Sequence, residues 1–266
     1  MHLKVNKDSV TSLLYPLGFG VFLVILWQTQ ILHKLFHTDT YILPLPTRIL
    51  QIIADNSDKI MQNVTASLNV ILAGLVLGSL CGYLAAVGAT LFPRFGKGGL
   101  TVISAFNAIP IVALAPVIIN WTKDVSSEAE IRSMVAKIIV VALVCMSSMS
   151  VNAHRGLTEL QPFSLDLMKS YAANRRTVFF KLRLPNSVPY IFTALKVSVP
   201  GSVISALVSE YFVEYRIGVG RQIRENILIA QYATAWAYIL VACIIGIVLF
   251  FLLLMAERVF MRNRRT

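Results

Sequence analysis

Charge is scarce in this chain of 266 residues, of which 14% are charged and 56% are hydrophobic. An average soluble domain carries roughly 25% charged residues, so the chain lacks the polar surface that such a domain exposes to water. Its mean hydropathy is +0.71. This composition excludes a disordered chain, argues against an ordinary soluble enzyme and indicates a protein that crosses a membrane several times.

Residues that carry metal or nucleophilic chemistry are also few. The three cysteines lie in apolar runs without metal-binding spacing or a disulfide framework, so we interpret Cys81, Cys145 and Cys243 as small buried hydrophobes. The sequence contains no HExxH, GxSxG or Walker A motif, which excludes ATP hydrolysis by the Walker route. Gly218-Val219-Gly220 lacks the third glycine of a phosphate-binding loop and indicates a turn.

Six apolar runs are long enough to cross a bilayer as helices, which requires about 20 residues each. They cover residues 13–32, 64–91, 99–122, 134–153, 190–212 and 235–255. Because a segment in lipid must satisfy its own backbone hydrogen bonds, the runs predict an all-α polytopic membrane protein with one transmembrane domain, residues 1–266. We interpret the first run as a retained anchor, since no small-residue cleavage site follows it. Lys137, one turn into the fourth run, is expected to snorkel.

Basic residues concentrate on one side of these six spans. The segments on the side of the two termini, which include the loop 154–189, hold 14 basic and four acidic residues, whereas the other side holds nine of each. Cytoplasmic segments carry the excess of Lys and Arg, so both termini and this loop are predicted to lie in the cytoplasm. The bias, together with attraction to anionic lipid, accounts for the net charge of +11 without a nucleic-acid partner.

Two further patterns concern amphipathicity and packing. Between the first two spans, residues 47–60 place apolar and charged side chains at helical spacing, which predicts an amphipathic helix on the outer face.

In the second span, Gly74, Gly78, Gly82 and Ala86 form a stripe of small residues on one helix face. Such a stripe lets two helices approach closely, either within the bundle or across a dimer.

Proline and polar residues in the third and fifth spans are candidates for a translocation pathway. Kinked spans often border such a pathway, although proline and glycine are also common in ordinary membrane helices. Glu210 is a charge inside a span, where ionisable residues are usually functional, and a loop or headgroup partner is the alternative. Lys196 lies nearer the cytoplasmic end of its span, which favours lipid anchoring. The candidate pathway residues are Asn107, Pro110, Asn120, Ser205, Ser209 and Glu210.

The predicted cytoplasmic loop, residues 154–189, is too long for a turn. Ser164 starts a first short helix, and Ala172-Ala173 allow a close bend after it. Asn174 caps a second helix, which Pro185 ends. The product is a pair of short helices with exposed apolar residues ringed by basic ones, which suits docking into a groove on a cytoplasmic partner. The alternative is a helix pair that lies flat on the inner leaflet.

This loop resembles that of the permease subunits of ABC importers, whose signature reads E-A-A, three residues, G, nine residues, I-x-L-P. Leu182-Arg183-Leu184-Pro185 stands at the end of that signature, Ala172 at its glycine and Asp166-Leu167-Met168 at E-A-A. Other segments resemble the nitrate/sulfonate/taurine branch of the family, among them LPLP at 43–46, NAIP at 107–110 and IGVG at 217–220. The resemblance covers nearly the whole chain.

The resemblance implies a type I ABC importer permease with six transmembrane helices in a bacterial plasma membrane. It implies a homodimer with a second permease copy, two ATP-binding subunits that bind ATP and Mg, and an extracytoplasmic solute-binding protein. No cofactor, metal or catalytic residue is expected in this chain. The implied solutes are small anions such as nitrate, taurine or alkanesulfonates, and heterocycles such as a thiamine precursor or riboflavin. The residues implied to form the ATPase-coupling loop are Asp166, Leu167, Met168, Tyr171, Ala172, Ala173, Asn174, Arg175, Leu182, Leu184 and Pro185.

Two other classes of protein are weaker interpretations of the same sequence. A secondary transporter or channel working alone would favour paired charges at mid-membrane and inverted repeats, neither of which the sequence shows. A membrane-embedded enzyme would need a catalytic cluster, which is also absent from the sequence. We therefore expect the chain to be the transmembrane part of an importer that is driven by another subunit.

Overall fold

The computed structural model describes the backbone of residues 7–213, 215 and 217–262, and the side chains of these residues except 7–14, 95, 97 and 107. Every regular element in this part of the chain is helical, which confirms the all-α prediction. A 3-10 turn covers Phe106–Ala108 and a π-helical turn covers Phe179–Arg183. The α-helices are α1 (Lys7–Gln28), α2 (Ile31–Phe36), α3 (Pro46–Asp55), α4 (Ser57–Leu91), α5 (Pro93–Ala105), α6 (Ile111–Trp121), α7 (Ala129–Thr158), α8 (Ser164–Ser170), α9 (Arg175–Val178), α10 (Leu184–Phe212), α11 (Val219–Leu228) and α12 (Tyr232–Met261).

Four stretches of the described chain are long and apolar enough to cross a membrane. They are α4, α7, α12 and the stretch Arg175–Phe212, which ends with α10. Tyr15–Gln28 in α1 and Ile111–Trp121 are shorter apolar helices. The four long helices extend beyond the apolar runs 64–91, 134–153, 190–212 and 235–255, because polar residues that flank such a run can continue the helix into the headgroup region.

The apolar run 99–122 is broken at Pro110, as its prolines indicated, and is therefore not one continuous helix. Helix α5 ends at Ala105, the 3-10 turn follows, and Ile109 adopts an extended conformation with φ −81° and ψ 122°. Proline disfavours the helical conformation of the residue before it, so Pro110 imposes this break and α6 starts immediately after it. Pro116 lies inside α6 and does not interrupt it.

The helices fall into two compact units, of which the first comprises Met1–Ile60 and Ile223–Leu240. In this unit α3 buries Ile49 and Ile52 against Ala237, and Trp27 and Trp236 meet edge to face with ring centroids 5.4 Å apart. The amphipathic helix predicted over 47–60 is therefore present but shorter. It ends at Asp55 because Asn56 leaves the helical conformation and its side-chain amide donates to the carbonyl of Ile52.

The second unit comprises Met61–Gln222 and Val241–Thr266. Its small-residue stripe packs α4 against α7. A Cβ atom built on Gly74 would lie 2.5 Å from Cβ of Val141, and one built on Gly82 would lie 2.5 Å from the carbonyl oxygen of Met146. The stripe therefore serves packing within the bundle, which was one of its two predicted roles.

Helix α10 completes the core of the second unit. Ala86 of α4 and Met149, Ala153 and Leu157 of α7 form a buried cluster with Ala194 of α10. The hydroxyls of Tyr83 and Ser187 also join α4 to α10 at 3.0 Å. The three helices thus form one packed body that fixes the start of α10 and the end of α7, between which the predicted cytoplasmic loop lies.

Helix α11 was not predicted from the sequence, which indicated only a turn at residues 218–220. Gly218 does form the turn, with a φ of +127° that L side chains rarely adopt. The helix starts at the next residue and is strongly amphipathic, with no long apolar run to signal it.

Candidate functional site

The first short helix of the loop between α7 and α10 exposes apolar side chains. Helix α8 starts at Ser164 as predicted, and the Ser164 hydroxyl donates to the carbonyl of Gln161 at 2.6 Å. The exposed fraction is 83% for Phe163, 77% for Tyr171 and 59% for Leu167. Exposed aromatic and aliphatic side chains grouped on a small helix are typical of an interaction surface.

The bend between α8 and α9 depends on one alanine in an unusual conformation. Ala172, which stands at the glycine of the importer signature, has a φ of +49° in the left-handed region. Asn174 then caps α9, because its Oδ1 accepts hydrogen bonds from the Thr177 backbone N–H at 2.8 Å and the Thr177 hydroxyl at 2.9 Å. The signature position therefore marks a real turn in this chain, although a side chain occupies it.

Pro185 does not end the second helix of the loop, contrary to the prediction. The chain passes from α9 through the π-helical turn, which contains Leu182, directly into α10, with Leu184 and Pro185 in its first turn. A π-helical turn shifts the hydrogen-bond ladder by one residue, and such a shift can accommodate a proline that lacks a donor. The loop is consequently joined to α10 by continuous helical backbone.

Two polar side chains tie the loop to the end of α7: Arg183, which the sequence marked only as a basic residue of the loop, and Asn186, which it did not single out. Arg183 donates to the carbonyl of Leu157 at 2.8 Å, and the Asn186 amide donates to the carbonyls of Gly156 at 2.7 Å and Glu159 at 3.0 Å. These carbonyls belong to the last turn and C-cap of α7, where intrahelical donors are missing. The available sequence signal was a cation directly before α10 and an amide in its first turn.

The loop surface is basic as well as apolar. Residues 159–183 hold five basic and two acidic side chains, and Lys169, Arg175, Arg176 and Lys181 are exposed. A cavity of about 480 Å³ opens beside them, lined by Thr90, Leu91, Pro93, Ala173, Arg175, Val178, Phe179 and Arg183. The predicted coupling-loop residues therefore lie on one continuous stretch that presents cations around apolar side chains.

A second feature is a cleft at the break that Pro110 makes in the third apolar run. A cavity of about 260 Å³ is lined by Phe106, Ile109, Ile111, Leu114, Leu143, Val144, Ser148, Val197 and Gly201. An adjoining groove of about 710 Å³ shares four of these residues and continues along α6 and α7 to Trp121 and Thr122. Among the side chains that the structure describes, no charged one lines either space.

The predicted pathway residues are only partly gathered at this cleft. Pro110 lies between two of its lining residues, whereas Asn120 is exposed at the end of α6. Ser205 and Ser209 are fully buried, and their hydroxyls donate to the carbonyls of Gly201 and Ala206 in their own helix. The side chain of Asn107 lies outside the described residues.

Glu210 is fully buried in a polar network of its own. Its carboxylate accepts hydrogen bonds from the Ser67 hydroxyl and the Gly220 backbone N–H, each at 2.7 Å. Lys137 is 4% exposed and interacts electrostatically with Glu210, so it does not snorkel as expected. The partners of its carboxylate are thus Ser67 of α4 and Gly220 of α11, and a role of Glu210 in translocation stays a prediction.

The same network fixes the turn that precedes α11. The Gly218 N–H donates to Oδ1 of Asn63 and the Val219 N–H donates to the Ser67 hydroxyl, each at 2.9 Å. A Cβ atom on Gly218 would lie 2.5 Å from the carboxyl carbon of Glu210, so this glycine is required by space as well as by φ. The turn is therefore bound to both α4 and α10.

Next to this turn, one side chain outside the spans has a shifted pKa. A hydrogen bond from the Tyr215 hydroxyl to the Glu130 carboxylate raises the pKa of Tyr215, because ionised tyrosine would lose the bond and face a second negative charge. The Tyr215 N–H also lies 3.4 Å from the Ser133 hydroxyl in α7. These contacts connect the turn to the start of α7.

Comparison with known proteins identifies the family. Residues 74–265 match the family described as the binding-protein-dependent transport system inner membrane component. The chain belongs to this family. The matched region includes α7, the loop with α8 and α9, α10 and α12, together with every residue that lines the cleft.

Individual relatives are transport permeases. The chain is 27% identical to the formylaminopyrimidine transport permease protein ThiX of Halalkalibacterium halodurans over 199 residues, or 74% of this chain and 75% of the relative. It is 26% identical to a probable ABC transporter permease protein of Haemophilus influenzae over 199 residues, or 75% and 77%. It is 26% identical to the riboflavin transport system permease protein RibX of Chloroflexus aurantiacus over 163 residues, or 60% and 57%.

These findings make the chain an integral membrane protein and an ABC importer permease. The family is one of transport permeases, and family membership implies work with an ATPase and a binding protein. The nitrate/sulfonate/taurine branch stays a prediction, since the relatives above carry other names. The predicted roles of the loop and pathway residues likewise stay predictions.

Proposed function

We propose that this chain forms, with a second copy of itself, the translocation pathway of an ATP-driven importer for a neutral heteroaromatic solute. Each copy offers the loop with α8 and α9 to one of two ATP-binding subunits, and those subunits bind ATP and Mg. The observation that carries this proposal is the exposed apolar loop, which is joined without interruption to a membrane helix.

The loop has the mechanical connections that a coupling element needs. The π-helical turn makes α9 and α10 one continuous helical stretch, so a displacement of the loop is passed to α10. Arg183 and Asn186 hold the end of α7 to the same stretch through three hydrogen bonds. A displacement of α8 would therefore reach α7, which lines the cleft with Val144, and α10, which lines it with Val197 and Gly201.

The chemistry of the loop favours a protein partner. Aromatic and Arg side chains dominate the binding energy of protein interfaces, and Tyr171, Phe163 and Arg175 are exposed together here. A loop held in the cytoplasm by its basic residues meets an ATP-binding subunit there. This orientation also puts both termini in the cytoplasm, the chain in a bacterial plasma membrane and the solute-binding protein outside.

The cleft favours an uncharged solute. An anion in a dry cleft needs a fixed counter-charge, and the described lining side chains provide none. Lys137 is 4% exposed and does not line the cleft, and Lys196 pairs with Glu257 at 2.7 Å, so neither lysine is placed to hold an anion there. Phe106 offers an aromatic face and Ser148 a hydroxyl, which suit a flat heterocycle with hydrogen-bonding edges.

The named relatives agree with this solute class. Two of them are called transport permeases for formylaminopyrimidine and for riboflavin, both of which are nitrogen heterocycles. We therefore place Phe106, Ser148 and Gly201 on the pathway together with the predicted residues Asn107 and Pro110. The pathway roles of Asn120, Ser205, Ser209 and Glu210 stay predictions.

Coupling is tested at the bend of the loop. The complete importer, reconstituted in vesicles with its ATPase and binding protein, is compared with its Ala172→Glu and Ala172→Gly variants. We expect Ala172→Glu to lose ATP hydrolysis stimulated by the binding protein and co-purification of the ATPase, whereas Ala172→Gly keeps both. Normal coupling in Ala172→Glu would refute the docking surface, and uptake by the chain without any ATPase would favour a secondary transporter.

The solute class is tested at the cleft with a size-matched pair of variants. Gly201→Phe fills the cleft, whereas Gly246→Phe on α12 has no described atom within 4 Å of its Cβ position. We expect uptake of labelled formylaminopyrimidine or riboflavin to be lost in Gly201→Phe and kept in Gly246→Phe, with no uptake of nitrate or taurine by any variant. Transport of taurine that Gly201→Phe abolishes would show that the pathway is right and the solute class wrong.

A further inference from the structure

A concave basic site lies where the end of α12 meets α10. It encloses about 460 Å³ and is lined by Lys196, Leu254, Glu257, Arg258, Met261 and Arg262. Lys196 Nζ lies 2.7 Å from Oε1 of Glu257, with 36% and 25% of the two side chains exposed. The single acidic residue of the lining is thus already matched by one of its three cations.

The two arginines are the unmatched charges of this site. Arg258 lies in the last turn of α12, and Arg262 directly follows Met261, the last residue of this helix; both are exposed and both line the cavity. Leu254 and Met261 add an apolar floor beside them. The site therefore combines a pair of guanidinium groups with a hydrocarbon surface, a combination that a free inorganic anion does not use.

The position along α12 is that of lipid headgroups. The apolar run of this helix ends at Met255, and large side chains just before that point are exposed in the described structure, among them Phe251 at 60% and Leu252 at 54%. Beyond the run, Phe260 packs against Phe192 of α10 with ring centroids 6.0 Å apart. The arginines consequently follow a lipid-facing surface by one to two turns, within reach of a phosphate group.

We propose that this cavity binds one anionic phospholipid. Arg258 and Arg262 hold its phosphate, Leu254 and Met261 contact the first part of its acyl chains, and the ion pair of Lys196 with Glu257 forms the wall that keeps α10 and α12 together. The general excess of Lys and Arg on the cytoplasmic side of membrane proteins would be satisfied by scattered cations. Here three cations line one cavity that also has an apolar floor. The bound lipid bridges α12 to the helix that carries the coupling loop.

The experiment measures lipid retained by the purified full-length protein. The protein is extracted from vesicles that contain equal amounts of phosphatidylglycerol and phosphatidylcholine, and bound lipid is counted by native mass spectrometry. Arg258→Gln/Arg262→Gln removes the phosphate contacts, and the matched control Arg94→Gln/Arg155→Gln removes two exposed cations outside the cavity. Glu257→Gln removes the acid of the site, and Glu159→Gln is its control.

We expect wild type and the Arg94/Arg155 variant to retain one phosphatidylglycerol in preference to phosphatidylcholine. Each Lys or Arg near an anionic membrane surface adds a similar amount of binding free energy. Loss of two of them should therefore lower the affinity for phosphatidylglycerol about thirtyfold in the Arg258/Arg262 variant. Glu257→Gln should raise retention, because the repulsion between its carboxylate and the phosphate is lost, and Glu159→Gln should leave it unchanged. Equal losses in the two double variants, or equal retention of both lipids by wild type, would overturn the proposal. Displacement of the lipid by millimolar inorganic phosphate would show a site for free anions instead and would also overturn it.

Discussion

Replacing Gly78 by alanine tests the close packing of α4 on α7. A Cβ atom at this position would collide with the backbone carbonyl and Cα of Ala142 and would lie 2.8 Å from Cβ of Cys145. Two of these atoms are backbone and the third is a Cβ atom, so none of them can move aside by a change of side-chain rotamer. The two helices would have to separate. Gly88 on the same helix is the matched control, because no described atom lies within 4 Å of its Cβ position.

Both substitutions gain helix propensity, and only Gly78→Ala also overpacks the contact between α4 and α7. Alanine in place of glycine inside a helix lowers the free energy of the folded state by about 1 kcal/mol. Overpacking costs about 1–3 kcal/mol, and a collision with backbone belongs at the upper end. Gly78→Ala should therefore lose about 2 kcal/mol of unfolding free energy, while Gly88→Ala gains about 1 kcal/mol.

Cys145 reports the separation of the two helices directly. It is fully buried, as predicted. Cys81 and Cys243 are exposed, so their interpretation as buried hydrophobes was wrong, and both are replaced by serine in all variants. The temperature at which a fluorogenic maleimide labels Cys145 in detergent then gives the melting temperature. For a chain of this size we expect Gly78→Ala to melt roughly 4–8 °C lower and Gly88→Ala roughly 2–4 °C higher than the parent. Melting of Gly78→Ala at or above the parent temperature would refute the packing argument.

Three further outcomes are expected, two in the same melting assay and one in amide hydrogen exchange. Glu210→Gln should cost about 1–3 kcal/mol because it replaces the carboxylate that accepts from the Ser67 hydroxyl and the Gly220 N–H, whereas Ser205→Ala, which removes only a hydroxyl bonded within its own helix, should cost less; equal melting temperatures of the two variants would argue against the network. Gly218→Ala should be at least as damaging as Gly78→Ala, since the new side chain meets the carboxylate of Glu210 at a φ that alanine disfavours, and tolerance of it would contradict the turn geometry. Ala172→Gly should slow amide hydrogen exchange in α9 by relieving about 1 kcal/mol of left-handed strain, whereas Ala172→Val should accelerate it; the reverse order would refute the bend.

The helices of the loop between α7 and α10 were predictable because their signals are local. The cap at Asn174 involves a residue three positions away, and the start of α8 at Ser164 follows from residues in the same turn. The prediction that Pro185 ends the second helix was wrong because it considered the proline alone and not the turn before it. Proline forbids a donor at one position, and the preceding π-helical turn removes the need for that donor, which no residue rule anticipates.

The candidate site was predictable only in part because its contacts are distant in sequence. Glu210 meets Ser67 across 143 residues, and Lys196 meets Glu257 across 61. Hydropathy marks Ser67, Lys196 and Glu210 as polar or charged residues in apolar runs and Glu257 as a charge just after one, but it does not say which of them meet. The cleft at Pro110 has the same origin, since the break is local while the lining from α7 and α10 is supplied by packing.

The sequence alone determined the helical membrane class, the stripe of small residues on α4 and the loop pattern that resembles importer permeases. Each of these depends on composition or on spacing within one helix, and a bilayer constrains those properties directly. Only the tertiary structure decided that α4 packs on α7 through its glycines, that Glu210 is held by Ser67 and the Gly220 N–H, and that two arginines share a cavity at the end of α12. Partner choice among buried polar groups is set by which helix faces meet, and helix periodicity gives each face without giving its neighbour.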